Sequence, residues 1–142
     1  MKVIVDTSIW SLALRRKKKQ SFSEVRFLES LIDNQKICLL GPIRQEILSG
    51  IKDSKQFLQL KDVLGSFDDY PIITRDYEIA AEYFNLCRSK GVQGSNTDFL
   101  ICAVSYRNRF PIFTSDKDFE TFSKHIPITL VKETAATVKL IL

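Results

Sequence analysis

The sequence predicts an α/β domain built on a mostly parallel sheet. Three observations carry this. Short β-branched runs alternate with longer helical patterns along the chain. The runs lack polar alternation, as expected of strands covered on both faces. The stretches between them are long enough for crossover helices, which implies parallel neighbours joined by right-handed connections.

The elements follow in order. Val3-Ile4-Val5 is the first strand, stopped at Asp6-Thr7-Ser8, whose side chains suit the start of a helix from Ile9 to Leu14. After a basic run, Ser21 and Glu24 have capping-box spacing and open a helix with Phe22, Val25, Leu28, Leu31 and Ile32 on its apolar face. Lys36 to Leu40 is a second strand. Gly41-Pro42 then starts a helix, since Pro is tolerated in a first turn, and Gly50 stops it. Asp53 to Leu64 continues the helical period through Phe57 and Leu60 until Gly65. Pro71-Ile72-Ile73 is a short extended piece. Asp76 to Lys90 is a helix with Ile79, Ala80, Tyr83 and Cys87 on one face, closed by Gly91. The next helix begins near Asn96-Thr97, and its near-continuous apolar run predicts burial on more than one side. Pro111 to Thr114 is a third strand. A short helix at Phe119 to Phe122 and a last strand near Ile128 to Val131 complete the pattern.

At 142 residues the chain is expected to form a single domain, 1–142, large enough for a full core. Hydrophobic residues at 44% and charged residues at 27% exclude disordered and fibrous classes. No apolar run approaches the roughly 20 residues of a membrane helix, and Asp6 interrupts the N-terminus too early for a secretory signal. The expectation is a cytoplasmic protein with no membrane partner. Cys38, Cys87 and Cys102 lie far apart in apolar patterns, and the single His125 has no ligand-spaced partner. Reduced core thiols are therefore expected, with neither a disulfide framework nor a zinc site.

The net charge of +4 is local. Arg15, Arg16, Lys17, Lys18 and Lys19 form one run, and without them 16 basic residues face 17 acidic ones. Such a run suits contact with a phosphate backbone, or serves as a solvated loop that aids solubility.

In an open parallel sheet, ligands bind beyond the carboxyl ends of the strands. Asp6 follows the first strand, and Asp116 and Asp118 follow the third. Glu46 lies about one turn beyond Pro42, and Asp98 sits in the first turn of its helix. Taken singly, each could be a cap or a solvated helix position. Together, five carboxylates from four segments on one rim would repel one another unless cations neutralise them. Hard divalent ions with oxygen ligands fit, Mg²⁺ or Mn²⁺ in particular. Two such ions can stabilise the attacking and leaving oxygens of a phosphodiester displacement. A carboxylate outside the metal's ligands can then orient or deprotonate the water. With one histidine in the chain, a Ser-His-Asp arrangement would rest wholly on His125.

Four segments, Val3 to Trp10, Pro42 to Leu48, Asn96 to Ala103 and Phe113 to Phe119, resemble the PIN domain in order and context. The length resembles the VapC-type toxins of toxin–antitoxin pairs. The resemblance covers residues 1–131 and implies a three-layer sandwich with a central, mostly parallel sheet flanked by helices. It implies a metal-dependent endoribonuclease, commonly a homodimer, inhibited by a small antitoxin that occludes the acidic pocket. By position, Asp6, Glu46, Asp98 and Asp116 match the acidic quartet, with Asp118 as an accessory acid and Asp6 and Asp98 as the leading Mg²⁺ ligands. Thr7, Ser8 and Thr114 would orient carboxylates or waters. Arg15 to Lys19 would then hold RNA phosphates. Trp10 and Tyr106 are candidates for stacking on a base, although aromatics in a helical apolar pattern usually belong to the core.

Three rival readings remain at this level. An aspartyl-phosphate phosphatase usually carries Asp-x-Asp after its first strand, and here the second position is Ser8. A non-catalytic RNA- or protein-binding module would keep its binding without metal. A PIN nuclease of RNA processing would share the chemistry without an antitoxin.

Overall fold

The computed structural model describes residues 1–14 and 23–132. The basic run Arg15 to Lys19 and the Ser21 capping position lie outside the described residues. Three strands form a parallel sheet in the order β2-β1-β3, with β1 at Val3–Val5, β2 at Ile37–Cys38 and β3 at Ile112–Phe113. Val3 pairs with Ile37 and Ile4 with Cys38 on one side of β1, and Ile4 with Ile112 and Val5 with Phe113 on the other. All seven strand residues are buried, which is why their sequences are apolar throughout.

Seven helices flank this sheet among the described residues: α1 (Thr7–Leu14), α2 (Ser23–Asp33), α3 (Gly41–Ser49), α4 (Ser54–Leu64), α5 (Thr74–Ser89), α6 (Asn96–Asn108) and α7 (Asp118–Phe122). The α/β sandwich and its parallel sheet are as the sequence predicts. Two boundaries move outward: α1 starts at Thr7, and α5 starts at Thr74 because the Asp76 carboxylate accepts the Ile73 N–H at 3.0 Å. The expected last strand reduces to one parallel bridge between Leu130 and Ile112, and Pro71 to Ile73 forms no ladder, the bridge to Leu39 falling before it at Asp69. Gly91 ends α5 with φ 76°, a left-handed conformation open to glycine without strain.

Helix α6 is the central helix. Phe99 to Ser105 are all buried, confirming contact on more than one side. It packs against α5 and β3. Where the start of α5 meets the end of α6, Asp76 is wholly buried and its carboxylate receives Arg107 Nε at 2.5 Å and Nη2 at 3.0 Å. The hydrogen bonds to Asp76 push the Arg107 guanidinium pKa up. Cys38, Cys87 and Cys102 are free and buried, and burial pushes the Cys38 thiol up to about 12.

The turn before α6 is set by close packing. A Cβ on Gly94 would lie 2.6 Å from Phe122 Cζ and 2.9 Å from Phe99 Cε2. The Phe99 and Phe122 rings pack against each other at 4.9 Å and are fully buried, so neither can withdraw. Gly94→Ala is expected to cost about 1–3 kcal/mol, the usual range for overpacking. A denaturant melt checks this, and an unchanged midpoint would contradict it.

Candidate active site

The carboxyl ends of β1 and β3 and the first turn of α6 carry the acidic residues. Asp6 directly follows β1. Its backbone N–H continues the ladder to Phe113 O at 2.9 Å, and its carbonyl accepts the Ile9 N–H from the first turn of α1 at 3.0 Å. Asp6 is thus fixed by a strand on one side and a helix on the other, with 6% of its surface exposed.

Hydroxyls knit this end of the sheet together. Ser8 Oγ and Thr114 Oγ1 each stand 2.8 Å from Asp6 Oδ2 and 3.2 Å from one another. The same two oxygens accept backbone N–H groups from the loop after β3, Ser8 from Ser115 at 3.1 Å and Thr114 from Asp116 at 3.0 Å. The Asp118 N–H donates to Asp116 Oδ1 at 2.9 Å, where α7 begins. Thr7 Oγ1, at the start of α1, donates to Glu46 Oε1 on α3 at 3.0 Å. Ser95 and Asp98 form a reciprocal cap: the Asp98 N–H donates to Ser95 Oγ at 3.1 Å, and the Ser95 N–H to Asp98 Oδ2 at 3.0 Å.

One pattern unites these contacts. Each of Asp6, Glu46, Asp98 and Asp116 has one carboxylate oxygen held by a donor. Among the described residues, none of the four has a donor on its other oxygen. Two of them, Glu46 and Asp98, respond to the charges of their neighbours. Burial, followed by the charges of Asp6 and Asp98, raises the Glu46 carboxyl above its ordinary value, against the pull of the Thr7 hydrogen bond. Burial and the charges of Asp6 and Asp116 raise Asp98, against the Ser95 hydrogen bonds. The carboxylates therefore share one rim with net repulsion.

This donor set suits a hard cation. Among the described residues, no group of three or more His, Cys, Asp or Glu side chains is gathered closely enough to hold a metal ion by itself. Mg²⁺ commonly binds through one or two carboxylates and completes its shell with water and substrate phosphate, so an open rim of oxygen donors accommodates it.

Repulsion has a consequence for stability. With raised folded-state pKa values, Asp98 and Glu46 bind protons more tightly folded than unfolded. Below their ordinary values of 3.8 and 4.5 both states are protonated and the repulsion is absent. As pH rises through the raised values, stability is lost. Asp98→Asn keeps an acceptor for the Ser95 N–H and removes the charge. In chelator at neutral pH this variant is expected to melt a few degrees above the parent, each kcal/mol being worth roughly 2–4 °C for a chain of this size. A melt at pH 7 in chelator checks this; a lower midpoint would contradict the repulsion.

Of the remaining sequence candidates, Asp118 is exposed at the start of α7 and reaches the rim through its backbone N–H. Arg15 to Lys19 lie outside the described residues. Trp10 is a core residue, 3% exposed and edge-on to Phe67, which removes it as a base-stacking platform. Tyr106 is exposed but two helical turns beyond Asp98, roughly 12 Å along α6. Ser95 does not figure among the sequence candidates, although Ser95-Asn-Thr-Asp98 has the capping-box spacing that reveals it.

A family model described as PIN domain matches residues 3–124, and the chain belongs to that family. No curated protein matches the chain significantly. Among solved structures, the chain is similar to VapBC2 from Rickettsia felis bound to a DNA fragment from their promoter, with TM-score 0.73 and 19% identity over 92% of this chain and 98% of that one. It is similar to FitAcB from Neisseria gonorrhoeae, with TM-score 0.71 and 18% identity over 92% and 96% of the two chains. PAE2754 from Pyrobaculum aerophilum gives TM-score 0.60 and 15% identity over 99% and 95%. At these identities the likeness is one of fold. Among the described residues no helix is long and apolar enough to cross a membrane.

Proposed function

We propose that this chain, read as one PIN domain over residues 1–142, is a metal-dependent endoribonuclease of the VapC type, the toxin of a toxin–antitoxin pair. The observation that carries the reading is the rim itself. Four carboxylates from four segments each have one oxygen held and, among the described residues, no donor on the other. A fold gains no stability from such an arrangement by itself, since burial and like charges both disfavour it.

Asp6 and Asp98 would contact the cation, Mg²⁺ or Mn²⁺, directly, with Asp116 and Glu46 reaching it through water and Asp118 as an accessory acid. When bound, such an ion makes water more acidic and offsets charge on the scissile phosphate. Ser8 and Thr114 keep Asp6 in one orientation and bind it to the loop carrying Asp116. Ser95 does the same for Asp98. Thr7 holds Glu46 Oε1, which leaves Oε2 to accept a proton from the attacking water. Burial favours the protonated form of Glu46, which strengthens it as a base for that step. The proton on the departing oxygen comes from solvent.

The partners follow from the same reading: RNA as substrate, a second copy of the chain, and a small antitoxin that covers the rim, all in the cytoplasm. The similar VapBC2 complex is bound to promoter DNA, which supports an antitoxin that binds DNA. Arg15 to Lys19 are proposed to hold RNA phosphates.

The test is incubation of purified protein with a mixed cellular RNA pool in Mg²⁺, in Mn²⁺ and in chelator. Discrete fragments that require the metal are expected. RNA that stays intact in both metals, with folded protein, would contradict the reading.

A further inference from the structure

We propose that the groove beside Asp116 holds the phosphate backbone of the single-stranded RNA that flanks the scissile bond. This rests on the nuclease reading and extends it to residues outside the rim. A cavity of about 860 Å³ opens along the outer side of β3. One wall is the loop Thr114 to Asp116, shared with the acidic rim, and the others carry Lys117, Lys124 and Lys132. The three lysines come from separate places: Lys117 just before α7, Lys124 just after it, and Lys132 beyond the Leu130 bridge. All three are exposed, and among the described residues none is in an ion pair. Glu24, Asp116 and Glu120 match the lysines in number along this lining, and Ile128, Leu130 and Val131 form its apolar part, yet among the described residues no acid there pairs with a lysine.

A substrate polyanion needs such a place. The rim is negative, so affinity for RNA has to come from cations beyond it, and phosphate contacts dominate that affinity. The groove shares the Thr114 to Asp116 loop with the rim, so a strand bound at the rim lies beside it. Its described lining contains no aromatic ring, and lysine ammonium groups with Ser and Thr hydroxyls bind phosphate and sugar, not base edges. The groove therefore supplies affinity without sequence preference.

The test is salt-dependent binding of a labelled, mixed-sequence single-stranded RNA in Mg²⁺. The parent is the full chain carrying Asp98→Asn, so that the RNA stays intact. It is compared with the parent bearing K117Q/K124Q/K132Q, and with the parent bearing K52Q/K55Q/K61Q, which has the same net charge but leaves the groove untouched. Three lost phosphate contacts should make the log–log salt slope shallower by about 2, so the parent's advantage shrinks roughly fifteen-fold between 50 and 200 mM salt. The control should keep the parent's slope. An unchanged slope in the groove variant, equal flattening in both variants, or no RNA binding by the parent at 50 mM salt would each overturn the proposal. Metal-dependent cleavage by the wild-type chain is scored separately, so loss of the groove and loss of the nuclease reading are distinguishable.

Discussion

Asp98→Asn is expected to lower metal-dependent RNA cleavage by roughly 10³-fold or more, beyond the 10–100-fold typical when a group that orients a metal ligand is lost. The change is small in shape. The substituted side chain keeps the Ser95 cap, because its amide oxygen can accept the same N–H, so α6 and its buried run stay in place. What disappears is one negative charge on a rim that depends on charge. Asp6→Asn should have a similar effect, since the Asp6 charge bears on both Glu46 and Asp98. The result is read as kcat/KM on a fragment released from the RNA pool. Activity within tenfold of wild type would remove Asp98 from the chemistry. Together with the higher melting point expected in chelator, this describes a site that trades stability for function.

Arg107→Ala should have a large effect on folding, about 1–3 kcal/mol, the usual cost of leaving a buried acceptor without its partner, since Asp76 is wholly buried while Arg107 is partly exposed. Asp76 has no exposed surface, and its carboxylate holds both the guanidinium and the first amide before α5. Without Arg107 it would be a buried charge with one backbone donor. Asp76→Asn combined with Arg107→Ala should recover part of the loss, because no charge is then stranded. Urea melts of the single and double variants check this. A single-variant loss under 1 kcal/mol would contradict the account. The pair lies at the end of α6 opposite Asp98, so RNA cleavage by folded protein should change little.

Much of this was legible in the sequence, for physical reasons that differ by residue. Strands buried on both faces must be apolar, so Val3-Ile4-Val5 and Ile112-Phe113 stand out. Asp6 stands out because it ends such a run, and Asp116 because it follows one. Asp98 was visible as an acid in a helix's first turn. Ser95 was less so, since its role depends on a reciprocal hydrogen bond that spacing suggests but does not establish. The apolar runs Pro71 to Ile73 and Ile128 to Val131 looked like strands, but pairing depends on a neighbour the sequence does not reveal, and only Leu130 of the two makes a bridge. Asp76 and Arg107 are 31 residues apart, and a pairing at that separation leaves no local trace. The groove lysines Lys117, Lys124 and Lys132, spread along the chain, likewise become a group only in three dimensions.

The most direct test of the central claim is the metal-concentration dependence of cleavage by the wild type and by Asp98→Asn. Purified proteins would be titrated with Mn²⁺, with free ion followed by its electron paramagnetic resonance signal and RNA fragments quantified in the same samples. Saturable binding by the wild type, tracking cleavage and weakened together with it in Asp98→Asn, is the predicted result. Cleavage that is indifferent to Mn²⁺, or an Asp98→Asn variant that binds and cleaves like the wild type, would contradict the assignment of the acidic rim.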